Sequence, residues 1–145
     1  MNITVVGSGY VGISIGVLLA QSNKVTFLEI DKEKISKINA YQSTVSDDLI
    51  DKYFKTKNLD IFATDSKQKA YADAEVIIVA VPTSYDEVAN KFDLGIINKV
   101  LSEAISYNDN SLIIIKSTIP IGYTKDISEK LNTKNIVFSP EFLRE

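Results

Sequence analysis

Three glycines spaced as Gly7-Ser8-Gly9-Tyr10-Val11-Gly12 follow the apolar run Ile3–Val6 without a gap and open a segment of helical apolar spacing. Strand, tight turn and helix in that order leave few architectures open. Gly7 permits the turn out of the strand. Gly9 carries no side chain where a diphosphate would approach the backbone, and Gly12 lets the helix pack closely. The start of the helix then offers free N–H groups and roughly half a positive charge to an anion.

The rest of the chain repeats the alternation. Short apolar runs at Ile3–Val6, Val25–Leu28, Ile61–Ala63, Glu75–Val81, Leu112–Lys116 and Ile136–Phe138 are separated by segments of longer period. Val76–Val81 is apolar throughout, as a strand buried on both faces must be. In the first helix Val11, Ile15, Leu18 and Leu19 are expected to line the core. Ile35 and Ile38 mark a second helix. Leu49, Ile50, Tyr53 and Phe54 mark a third, capped by Ser46 or Asp47. Asp65 is expected to cap a turn through Ala70 and Ala72. Leu94, Ile97, Leu101 and Ile105 predict a long helix, and Thr124–Leu131 the last. Tyr85, Asp86 and Glu87 are expected in a solvated loop. Strands alternating with helices predict an α/β fold: one doubly wound parallel sheet, the Rossmann arrangement, in a single domain over residues 1–145.

Composition excludes several kinds of chemistry. The 145 residues contain no cysteine and no histidine, which removes thiolate nucleophiles, disulfides, Cys/His metal sites and the commonest general base. No metal is expected. The net charge of −3 is spread along the chain and argues against nucleic-acid binding. No stretch has the length or flanks of a signal peptide or a membrane span, so a cytoplasmic location is expected, with no membrane partner.

The expected second strand ends at Glu29, 17 residues beyond Gly12, close to the spacing of about 20 at which an acid meets the adenosine ribose of a dinucleotide. A carboxylate there favours NAD and repels the 2′-phosphate of NADP. Lys34 lies near the same end, and Asp31 reads as the cap of the following helix. Ligands of such a sheet lie across the carboxyl ends of the strands. Those exits carry Val81-Pro82-Thr83, Lys116-Ser117-Thr118 with Ile119-Pro120-Ile121-Gly122, and Ser139-Pro140-Glu141. Each joins a proline to a hydroxyl or carboxylate, which fixes the turn and presents a polar group to the rim.

The glycine loop, Val81-Pro82-Thr83, Lys116 to Gly122, and Phe138-Ser139-Pro140-Glu141-Phe142-Leu143-Arg144-Glu145, taken in order, resemble the UDP-glucose/GDP-mannose dehydrogenase family. Within it the bacterial members that oxidise UDP-glucose are the nearer match. The resemblance implies a two-step, two-NAD oxidation of the sugar's primary alcohol through a thiohemiacetal. It places Gly9, Tyr10 and Val11 at the pyrophosphate, Glu29 at the ribose and Lys34 near the adenosine. Thr83 and Thr118 would contact the cofactor, with Val81, Pro82 and Ser117 on the same rim. Thr118 would also hold a catalytic water, Glu141 would do acid/base work, and Glu145 would sit near the nicotinamide.

The family's cysteine, lysine, asparagine and final aspartate belong to later segments. The chain therefore reads as part of a longer dehydrogenase, expected to bind NAD without turning over a nucleotide sugar, which would bind mainly through those segments. The longer protein is expected to be a homodimer and this portion a monomer. UDP-N-acetylmannosamine and GDP-mannose are the alternative sugars, and a non-catalytic NAD-sensing module is the alternative class.

Overall fold

The computed structural model describes residues 1–86 and 91–141. In chain order the elements are β1 (Asn2–Val6), α1 (Tyr10–Leu19), β2 (Lys24–Leu28), α2 (Lys32–Asn39), α3 (Asp48–Thr56), β3 (Ile61–Thr64), α4 (Lys67–Tyr71) and β4 (Val76–Val79). Then come β5 (Ser84–Asp86), β6 (Lys91–Asp93), α5 (Gly95–Tyr107), β7 (Leu112–Ile115), α6 (Tyr123–Lys130) and β8 (Ile136–Phe138). Six strands form one parallel sheet in the order β3-β2-β1-β4-β7-β8. The order reverses between β1 and β4, and there the crossover helices leave to opposite faces and open a crevice at the carboxyl ends.

The sheet is apolar because both of its faces are covered. Val5 and Ile78 point into a core with α1, α2 and α3. Their neighbours Val6, Ile77 and Val79 point into the other, with α4, α5 and α6. Strict alternation between two cores buries Ile77, Ile78 and Val79 of β4 and leaves Val76 half-buried. The edge at β3 is closed by a side chain: Asn39 donates to the Ala63 carbonyl at 2.9 Å and accepts from the Ala63 amide at 2.8 Å.

Four expectations are corrected. In α1 the most deeply buried positions are Gly12, Ile13, Gly16 and Val17, with Ile15 and Leu19 only partly buried against the core, while Leu18 is exposed. Apolar residues surround this helix, so their spacing has no single phase; its two glycines choose the face. Leu49 of α3 likewise points to solvent, and Ile50 and Phe54 carry the burial. Asp47 caps α3 and Asp31 caps α2, but the α4 cap is Ser66, not Asp65, which pairs with Lys32. Finally, Tyr85 and Asp86 lie in an antiparallel hairpin of β5 with β6 rather than in a loop; Glu87 lies outside the described residues. No helix among the described residues is long and apolar enough to cross a membrane.

Candidate dinucleotide site

The glycine loop is shaped by contacts with the chain itself. Gly7 has φ +91°, a left-handed conformation, and a Cβ there would also meet the Ala80 carbonyl oxygen at 2.6 Å. This glycine lets the loop turn while touching the exit of β4. A Cβ on Gly12 would stand 2.0 Å from the Gly7 carbonyl oxygen, so Gly12 makes room for the loop more than for the sheet. Close helix–sheet packing belongs to Gly16, whose added Cβ would lie 2.1 Å from Cζ of Phe27. Gly9 differs from all of these: no described residue lies within 4 Å of its Cβ position. It is the N-cap of α1, which has no side-chain cap and no acidic residue in its first turn. An open space over a helix start whose N-cap offers no side chain suits an anionic group, and a diphosphate fits it.

Glu29 stands across the crevice and is only 8% exposed. One carboxylate oxygen accepts from the Ser8 amide at 3.1 Å and the Ser8 hydroxyl at 2.5 Å; the other accepts from the amides of Ile30 at 2.8 Å and Asp31 at 3.2 Å. Burial pushes the Glu29 carboxyl up. The Ser8 hydroxyl, the two amides and the charge of Lys34 together outweigh it and hold the group below the ordinary carboxylate range. Glu29 is thus an ionised acid tied to the glycine loop. Thr44 adds a second tie by donating to the Ser8 carbonyl at 2.6 Å.

Between these groups lies a cleft of about 600 Å³. It brings together Gly7, Gly9, Glu29, Lys34, Val81 and Pro82, all expected at the site. It also includes residues the linear pattern does not single out: Tyr71, Ile96, Lys99, Val100 and Glu103, carried in by α4 and α5. The end of α4 and the face of α5 reach this cleft only through the packing of one helix on the other, so no local spacing announces them.

A smaller recess of about 150 Å³ adjoins the cleft, with Ala80 and Val81 lining both. It gathers Val11, Thr83, Ser117, Thr118 and Glu141 with Lys116. The Ser117 hydroxyl donates to the Val81 carbonyl at 2.7 Å and so ties the exit of β7 to that of β4. Lys116 links the exits of β7 and β8: its ammonium donates to the Ser139 hydroxyl at 3.2 Å and lies 3.7 Å from the Glu141 carboxylate. Tyr10, the first residue of α1, lines neither space. Glu145 lies outside the described residues. Among the described residues no group of acidic side chains is arranged to hold a metal.

Known proteins match this chain over its whole length. It is 46% identical over 145 residues to the UDP-glucose 6-dehydrogenase of Streptococcus pneumoniae, covering all of this chain and 37% of that protein. It is 46% identical over 147 residues to that of Campylobacter jejuni, again covering all of this chain and 37% of the relative. Among solved structures, the UDP-D-ManNAc dehydrogenase of Pyrococcus horikoshii superposes with a TM-score of 0.86 at 24% identity, over 99% of this chain and 37% of that one. The GDP-mannose dehydrogenase of Pseudomonas aeruginosa does so at 0.83 and 24%, over 100% and 37%. At such identities these two establish the fold alone. The chain spans about 37% of the length of the curated relatives it matches. The profile described as the NAD binding domain of the UDP-glucose/GDP-mannose dehydrogenase family runs over residues 1–145, and the chain belongs to that family as its NAD-binding domain.

Proposed function

We propose that this domain holds NAD for a dehydrogenase that oxidises the primary alcohol of UDP-glucose to the carboxylate of UDP-glucuronate, consuming two NAD. UDP-glucose is chosen over the other nucleotide sugars because two relatives at 46% identity are UDP-glucose dehydrogenases. The observation that carries the reading is the continuity of cleft and recess through Ala80 and Val81, from a ribose-side acid to a hydroxyl- and carboxylate-lined pocket.

In this reading the adenosine lies in the larger cleft. Its ribose hydroxyls meet Glu29, which the Ser8 hydroxyl must partly release. Lys34 stands beside the adenosine. The diphosphate lies over Gly9 against the amides of Tyr10 and Val11. The nicotinamide end enters the recess near Val81, Thr83, Ser117 and Thr118. When bound, NAD supplies the hydride acceptor. Glu141 lines the recess beside the Lys116 ammonium as the candidate acid/base group, and Thr118 shares that recess and can orient a water. The chain has no cysteine, so no covalent thiol step can start from its own residues. By itself it binds cofactor without oxidising the sugar nucleotide. The same reading carries a cytoplasmic enzyme, dimeric at full length, that supplies uronate units for capsule or exopolysaccharide.

Titration calorimetry with NAD, NADP and UDP-glucose tests this. NAD should bind, NADP more weakly, and UDP-glucose little; tight UDP-glucose binding without cofactor would overturn the division of labour. Glu29→Ala should narrow the NAD/NADP preference. Two like charges about 4 Å apart differ by roughly 4 kcal/mol at an effective dielectric near 20, so unchanged selectivity would move the ribose role elsewhere.

A further inference from the structure

One polar group in the adenosine cleft has no task in the free protein. Tyr71 ends α4 with its side chain 0% exposed. It is firmly held: its carbonyl accepts from the Asn108 amide at 3.2 Å, and its ring lies 6.0 Å from that of Tyr107. Yet its hydroxyl is buried with no hydrogen-bond partner among the described residues. A buried hydroxyl in that state forfeits the bonds it would make in water. A phenylalanine would fill the same space without this cost.

The surroundings indicate what the hydroxyl awaits. Tyr71 lines the cleft beside Val6, Leu28 and Val100, which are apolar. Lys67 and Glu103, also at this end, neutralise each other at 2.7 Å. At the mouth stand Ile30 and Ile96, 90% and 54% exposed, large apolar side chains left uncovered. Apolar walls around the neutral Tyr71 hydroxyl suit a flat ring with apolar faces and a polar edge. Burial, with the charge of Glu103 adding to it, pushes the phenol well up and keeps it a donor.

We propose that Tyr71 is a specificity residue of this site: its hydroxyl, covered in the free protein, is uncovered as the adenine enters and hydrogen-bonds the edge of that ring, so that the cleft reads the base as well as the ribose and diphosphate. The proposal rests on the NAD reading and deepens it.

The test is Tyr71→Phe, followed in two ways. Thermal melting of the free protein should stay level or rise, because an unpaired buried hydroxyl is removed. Affinity for both NAD and AMP should fall roughly tenfold, as one lost hydrogen bond to a buried group implies. In the unmodified protein labelled with 13C at tyrosine Cζ, the Tyr71 resonance should shift on adding AMP. Unchanged affinities, a Tyr71 resonance indifferent to AMP, or a fall in affinity accompanied by a lower melting temperature of the free variant would each overturn the proposal. Wild-type protein that fails to bind NAD at all would instead overturn the cofactor reading, and this proposal with it.

Discussion

Ser8 shows how much a single hydroxyl can govern. It supplies the largest of the contacts that lower the Glu29 pKa, against a burial cost that acts in the other direction. A carboxyl depressed in this way adds stability that is complete above its unfolded pKa and is lost as pH falls through the folded value. Ser8→Ala removes a charge-assisted bond of 2.5 Å and should cost about 2 kcal/mol at neutral pH. The gap between variant and wild type should narrow in acid, below the ordinary carboxylate range, where Glu29 is protonated in both. In the same variant the loss of NAD affinity on acidification should begin at a higher pH. Chemical denaturation and calorimetry across pH 3–7 would check both; a gap independent of pH would mean that the hydroxyl does not act through Glu29.

Among elements, α1 does two jobs that its glycines separate. Gly16→Ala drives a methyl group into the ring of Phe27, itself 0% exposed, and should cost about 1–3 kcal/mol of stability while leaving NAD affinity unchanged. Gly9→Ala meets no described residue within 4 Å and has an ordinary extended backbone, so the free protein should keep its stability. Its methyl group would occupy the space over the helix start, and NAD affinity should fall at least tenfold. Paired melting and binding measurements decide the matter; a destabilised Gly9→Ala protein that binds NAD normally would reverse the assignment. Those outcomes would assign the helix end to the ligand and the helix middle to the sheet.

For the whole molecule, cofactor binding and folding are linked. The cleft and recess are bounded by β1 and β2, by the exits of β4 and β7 and by helices from both faces, so they exist only in the folded state. NAD at a hundred times its Kd should stabilise the domain by about 2.7 kcal/mol. For a domain of this size that is a rise of roughly 8 °C in melting temperature. UDP-glucose alone should produce no comparable rise. A melting curve indifferent to NAD at millimolar concentration would contradict the whole assignment.

The chain's own pattern determined the sheet, its six parallel strands and the position of the glycine loop, because each follows from periodicity and from residues adjacent in sequence. Glu29 and the exits at Thr83, Thr118 and Glu141 were legible for the same reason: strand ends share one rim in this topology. The buried face of α1 was not, since apolar residues surround that helix and only the nearness of Phe27 to Gly16 selects one side. The cap of α4 was a contest between neighbours, Asp65 and Ser66, that the pull of Lys32 on Asp65 decides. Tyr71, Glu103 and Val100 entered the cleft only when α4 packed on α5. Contacts between residues distant in the chain are set by how surfaces fit, and no local rule of spacing encodes that fit.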